Sequence, residues 1–255
     1  MSHLDPDFVL SGQKLSQIFF KTLKEIKPGK KLSEVNRVAE ELIVQSGGKA
    51  GFKTVRDYQW ACCLNLNEGV VHGIPDEKRI KEGDLVSLDM GLWYRDWHTD
   101  MAYTITAGQP LSSVWKNLFL KTGRIALKKA VKKARAGGQV KDISRAIEKT
   151  IKKAGFWPVE TLTGHGIGKR LHQPPFIPCV VRGSEEENFL LKAGQALAIE
   201  VIYLKEKSSL VTDSDGWTIK ARSGKIAGLF EETIFIKGSR VQVLTPFFWE
   251  KNVQD

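Results

Sequence analysis

Three apolar runs of this chain carry a carboxylate where a hydrophobic side chain would be expected. Glu200 lies inside Ala196-Leu197-Ala198-Ile199-Glu200-Val201-Ile202-Tyr203. Glu231 follows Ile226-Ala227-Gly228-Leu229-Phe230 and precedes Glu232-Thr233-Ile234-Phe235-Ile236, and Asp89 follows Asp84-Leu85-Val86-Ser87-Leu88. Runs of this length and composition read as buried β-strands. An acid on such a strand is costly unless it is paired, hydrogen-bonded or bound to a cation. The chain is thereby restricted to folds whose strand interiors bring these acids together. Asp100, in the strand-like run 97–106, and His165, in Gly164-His165-Gly166-Ile167-Gly168, complete a set of four carboxylates and one imidazole.

Asp89 and Asp100 are eleven residues apart. An odd separation on one straight strand places two side chains on opposite faces. A hairpin turning at Arg95-Asp96 would instead let them meet as cross-strand neighbours. Four ionised carboxylates carry a charge of −4, which two divalent cations would balance. Oxygen-rich ligation with one nitrogen favours Mn, Fe(II), Co or Zn over a Cys-type structural zinc. Each acid taken singly also fits an isolated hydrogen-bonded residue; it is the number that argues for a shared site.

Amphipathic periodicity predicts helices over 7–26, from Ser33 to Gly47-Gly48, around Phe119–Ala134 and over Val140–Ala154. Strands are predicted at 60–66, 84–92, 97–106, 159–164, 196–204, 217–222, 226–237 and 240–244, with an irregular segment at Pro174-Pro175 and Pro178. The order is two helices, strands, two helices, strands, and no composition break divides the chain. One α+β domain over 1–255 is the expectation. The 255 residues are 42% hydrophobic with a net charge of +10. Lys121, Arg124, Lys128 and Lys132 concentrate positive charge on one helix face. No zinc-finger spacing or basic–aromatic motif points to sequence-specific nucleic-acid binding. No apolar run approaches the ~20 residues of a membrane span, and the N-terminus lacks the pattern of a signal peptide. Three cysteines, two of them adjacent, form no even disulfide set, so a reducing cytoplasm is expected.

Further motifs surround the acids: Asn67-Glu68-Gly69-Val70-Val71-His72-Gly73-Ile74-Pro75, Trp97-His98-Thr99-Asp100, Gly164-His165-Gly166-Ile167-Gly168 through His172, Asp215-Gly216-Trp217-Thr218 and Phe230-Glu231-Glu232-Thr233. In this order, over roughly residues 5–245, they resemble the bacterial-type methionine aminopeptidases of the pita-bread metallopeptidase superfamily. That resemblance implies a curved antiparallel sheet with two pairs of helices on its outer face and pseudo-twofold halves. It implies two divalent metal ions (Co, Mn, Fe or Zn) on Asp89, Asp100, His165, Glu200 and Glu231. It also implies a bridging water or hydroxide as nucleophile, with Glu200 as general base and His72 and His172 as the non-ligand catalytic histidines. The matching methionine pocket is Phe52, Tyr58, Cys63, Leu171 and Trp217 beside His72 and His172, an aromatic and sulfur lining suited to a thioether.

The implied activity is removal of the initiator methionine from nascent proteins and peptides by a cytoplasmic monomer, with the basic helices facing ribosomal RNA. The alternatives are an Xaa-Pro aminopeptidase or dipeptidase of the same superfamily, which usually carries an extra N-terminal domain, and a non-catalytic RNA- or ribosome-binding relative. This sequence departs from the family pattern in three places. Glu232 stands where many relatives have His, Val201 where Pro is common, and Leu171 where an aromatic is frequent. An extra acid at 232 is expected to bear on metal affinity or a ligand pKa, and Leu171 on the tightness of methionine selection.

Overall fold

The computed structural model describes residues 4–108, 113–183 and 185–247. In chain order the elements are α1 (Pro6–Leu23), α2 (Leu32–Gln45), β1 (Lys49–Ala50), β2 (Cys63–Leu66), β3 (Gly69–Val71), β4 (Leu85–Tyr94), β5 (Trp97–Thr106), α3 (Val114–Val131), α4 (Val140–Lys153), β6 (Trp157–Pro158), β7 (Thr163–Gly166), β8 (Gln173–Pro178), β9 (Ala196–Leu204), β10 (Leu210–Thr212), β11 (Ile219–Ala221), β12 (Ala227–Lys237) and β13 (Arg240–Val243). The main sheet is antiparallel and runs β1-β4-β5-β12-β9-β7-β8, with β2 on β4, β6 on β9 and β13 on β12. A smaller sheet runs β10-β11-β3.

Strand alternation explains the layering. Leu88 and Met90 on β4, Met101 and Tyr103 on β5, Phe230 on β12, and Val201 and Tyr203 on β9 all join the main apolar core. Helices α1 and α2 close on one another, α1 lies on β4 and β5, α3 on β12 and β9, and α4 on β8. The intervening positions, Asp89, Asp100, Glu231 and Glu200, therefore face away from these helices. Two helix pairs, one per half, cover one face of a mostly antiparallel sheet, as expected. Fully burying aliphatic and aromatic side chains of this size contributes roughly 1.5–3 kcal/mol each.

Two hydroxyl groups in this core tie neighbouring elements together. Tyr203 donates to the Phe119 carbonyl at 2.6 Å, tying β9 to α3. Thr233 accepts from the Asp100 amide and donates to the Asp100 carbonyl, both at 2.8 Å, which locks β12 to β5 beside the acids.

Several boundaries differ from the sequence expectation. Helix α2 starts at Leu32, ahead of Ser33, because Glu34 reaches back to accept the Lys31 amide at 2.8 Å. Residues 173–178, irregular by their proline content, form the edge strand β8, a place where missing amides are tolerated. The strand predicted at 159–164 lies later, at Thr163–Gly166, and the short strands β3 and β10 fall outside the predicted set. No described helix is long and apolar enough to cross a membrane.

Glycine at 164 is a steric requirement. A Cβ there would sit 2.5 Å from the Ala198 carbonyl oxygen of β9, and backbone cannot yield as a flexible side chain can. Gly164→Ala is expected to destabilise the protein by about 1–3 kcal/mol through this overpacking, measurable as a lowered urea midpoint at unchanged m-value.

Candidate metal centre and substrate cavity

Five adjacent strands each supply one ligand-type side chain: Asp89 from β4, Asp100 from β5, Glu231 from β12, Glu200 from β9 and His165 from β7. The register brings them together. Glu231 is directly opposite Glu200. Asp89 pairs with Ala102 and Asp100 with Gly91, so the two aspartates meet diagonally rather than face to face. His165 pairs with Ala198, which sets it diagonal to Glu200, and His165 Nε2 lies 3.7 Å from Glu200 Oε1. Ligand atoms of Asp100, His165 and Glu231 lie within 4.8 Å of one another.

The electrostatics are those of buried like charges brought close together. Asp89, Asp100, His165 and Glu231 are buried. Asp89 Oδ1, Asp100 Oδ1 and Glu231 Oε1 have no hydrogen-bond partner. Burial pushes the Asp89 carboxyl up to about 7. Asp100, Glu200 and Glu231 are driven well above the usual carboxylate range by burial first, and then by nearby charge: Asp89 and Glu200 act on Asp100, Asp89 on Glu200, and Asp100, Glu200 and Asp89 on Glu231. Burial holds His165 near 3, so its imidazole is neutral, as a ligand must be. Orphaned acceptor oxygens converging with a neutral imidazole fit a divalent cation.

A cavity of about 140 Å³ opens onto the cluster, lined by Phe52, Val55, Tyr58, Cys63, Val71, His72, His172 and Trp217 with Asp89, Asp100, His165, Glu200 and Glu231. Tyr58 packs edge-on against Phe52 and Trp217 at ring separations of 6.3 and 5.1 Å, and donates to the Cys62 carbonyl at 3.0 Å. Burial keeps the Cys63 thiol neutral. Trp217 is held by a turn in which Asp215 accepts the Trp217 and Thr218 amides, each at 2.8 Å, while the Ile74 amide donates to the Thr218 hydroxyl at 3.2 Å. His72 and His172 stand exposed at the rim. The His172 ring lies 4.5 Å from that of His165, and both rim histidines are held below their ordinary pKa, mainly by desolvation. A larger cleft of about 490 Å³ beside Phe8 and Trp97 has Asp5 as its one lining carboxylate and no histidine, so the chemistry belongs to the smaller cavity.

Nearly every expected residue thus converges. Leu171 is buried in the same apolar cluster but does not line the cavity. Val55 and Val71 line it without a sequence signal; nothing in their local pattern separates them from ordinary core. Glu232 corrects an expectation. It alternates away from Glu231 and accepts a hydrogen bond from Tyr103 at 2.8 Å on the opposite face, and the charges acting on Glu231 are Asp100, Glu200 and Asp89. Val201 is likewise buried in the helix-side core.

Residues 10–237 match metallopeptidase family M24. A methionine aminopeptidase of Aquifex aeolicus is 35% identical over 242 residues, covering 92% of this chain and 93% of its own. Methionine aminopeptidase 1 of Bacillus subtilis is 34% identical over 222 residues, covering 87% and 88%. The crystal structure of the Thermotoga maritima methionine aminopeptidase superposes with a TM-score of 0.87 at 31% identity, over 96% of this chain and 99% of that one. The prolidase of Pyrococcus furiosus shares the fold, with a TM-score of 0.75 at 23% identity over 94% of this chain and 63% of that one. With motifs, strand-borne acids and overall shape in agreement, the chain belongs to metallopeptidase family M24, among its methionine aminopeptidases.

Proposed function

We propose that this chain is a metal-dependent hydrolase that removes the initiator methionine from nascent proteins and peptides. The observation that carries the reading is the juxtaposition of five ligand-type side chains with a cavity sized and lined for one apolar, polarizable side chain. Asp89, Asp100, His165, Glu200 and Glu231 would hold two divalent cations (Co, Mn, Fe or Zn). Bound there, such cations supply Lewis acidity and lower the pKa of water. Glu200, on the cavity wall and only partly buried, accepts the proton of the attacking water. His72 and His172 donate hydrogen bonds to the oxygen of the scissile carbonyl, a task that neutral imidazoles perform. Phe52, Tyr58, Cys63 and Trp217, backed by Leu171, receive the methionine side chain. By the family resemblance, a substrate's free amine would lie close to the bound cations, which restricts cleavage to the first residue.

The assay is direct. Purified protein should hydrolyse Met-Ala-Ser, lose that activity to a chelator and regain it with Mn²⁺ or Co²⁺. Cleavage of an Xaa-Pro peptide with Met-Ala-Ser untouched would move the chain to the prolidase branch. His172→Ala should lower kcat by roughly 10²-fold, the usual cost of one oxyanion donor, with metal content unchanged.

We further propose a single catalytic domain acting as a cytosolic monomer. The segment from Val114 to Arg135 contains no acid, which supports a contact of Lys121, Arg124, Lys128 and Lys132 with ribosomal RNA. Such a contact weakens steeply with salt; cosedimentation with ribosomes that is absent or indifferent to salt overturns it.

A further inference from the structure

Phe176 is the most exposed aromatic side chain among the described large hydrophobics, at 48%. It sits in the edge strand β8, directly opposite His165 of β7. Direct partners in an antiparallel pair project from the same face. Phe176 therefore stands on the ligand-bearing face, beside a residue of the metal centre. Its neighbour Ile177 takes the other face and is fully buried in the helix-side core. An exposed aromatic is ordinary when scattered on a surface; one next to a catalytic cavity is placed for contact with what enters it.

The substrate's path supplies the occupant. The cavity of about 140 Å³ takes one side chain, and under the proposed function the free amine is held at the cation site. The rest of the polypeptide must leave over the rim where His72 and His172 stand. His172 immediately precedes β8, and Phe176 follows it four positions later on that strand. The pairing register shifts between His165 and Gly166, an irregularity of the kind found beside active sites. Cross-strand neighbours lie about 5 Å apart and an extended chain advances roughly 3.3 Å per residue. Those lengths bring the second residue after the scissile bond to Phe176. Pro174, Pro175 and Pro178 withhold amide donors from this strand, so recognition runs through the aromatic face rather than through added strand pairing.

Resting on the function proposed above, we propose that Phe176 forms a subsite for the substrate's third residue and selects an apolar or aromatic side chain there. The test compares Met-Ala-Phe-Ser with Met-Ala-Gly-Ser on the metal-loaded enzyme. Wild type should favour the phenylalanine peptide in kcat/KM by about fivefold to tenfold, the scale of one aromatic pair, with the difference in KM. Phe176→Ser should bring that ratio below about twofold, and Phe176→Leu should keep an intermediate preference. An equal loss on both peptides in Phe176→Ser, or no preference in wild type, overturns the subsite. Failure to cleave either peptide overturns instead the aminopeptidase reading on which it rests.

Discussion

Replacing Asp100 with asparagine should lower kcat/KM on Met-Ala-Ser by about 10³-fold or more while raising the melting temperature of the metal-free protein. The two effects have one cause. Asp100 is buried with an unpartnered oxygen, and its carboxyl is pushed up by burial and then by Asp89 and Glu200. Without cations the cluster is a set of like charges in a poorly solvated place. Neutralising one member relieves about 1–2 kcal/mol of this repulsion, a few degrees in a protein of this size. The same change removes an anionic ligand-type group and with it several kcal/mol of transition-state stabilisation. Calorimetry on chelator-treated protein, paired with the peptide assay, checks both. A lower melting temperature alongside lost activity would mean that Asp100 serves the fold instead.

The second large effect is the pH dependence of stabilisation by metal. Asp89 titrates near 7 in the fold against an ordinary value of 3.8, and the other three acids also lie well above the usual carboxylate range. A raised carboxyl contributes stability that is complete below its unfolded pKa and is lost as pH rises through its folded pKa. The histidines act oppositely: His165 near 3 and His98 near 4 contribute stability that is present above 6.5 and lost as pH falls. Above pH 6.5 the histidines are mostly neutral in both states, so the acids set the slope. Metal-free protein should therefore lose stability between about pH 6.5 and 8, by about 1 kcal/mol from Asp89 alone. Metal-bound protein should not, because its ligands are already deprotonated. The rise in melting temperature on adding Mn²⁺ should widen across this window; a constant increment would show that binding releases no protons.

The acids were legible because alternation is strict. On β4 and β9 both neighbours of the ligand, Leu88 and Met90 or Ile199 and Val201, enter the helix-side core, and on β5 and β12 one neighbour does, Met101 or Phe230, so a carboxylate breaks a largely apolar pattern. The glycines around His165 and the motif ending in Pro75 carried the rest. Register was not legible. Nothing local in Asp89 or Asp100 says that they meet diagonally, nor that β12 enters between β5 and β9; those facts depend on pairings between distant segments. The contributions of Val55 and Val71 to the cavity wall are invisible for the same reason. Glu232 shows the reverse error: proximity in sequence to Glu231 suggested proximity in the site, yet a two-residue period places consecutive side chains on opposite faces.

The position of β12 also has a consequence in time. Among the described residues it is the last long strand in chain order, and it supplies the seam on which β5 from the first half and β9 from the second both pair. Each half can form local helices and its own hairpin earlier, but contacts across the seam must wait for residues 227–237. A translating copy thus carries four of its five ligand-type residues long before they have a common centre. Under the proposed function, such a copy cannot act on any substrate until residues 227–237 have joined the two halves.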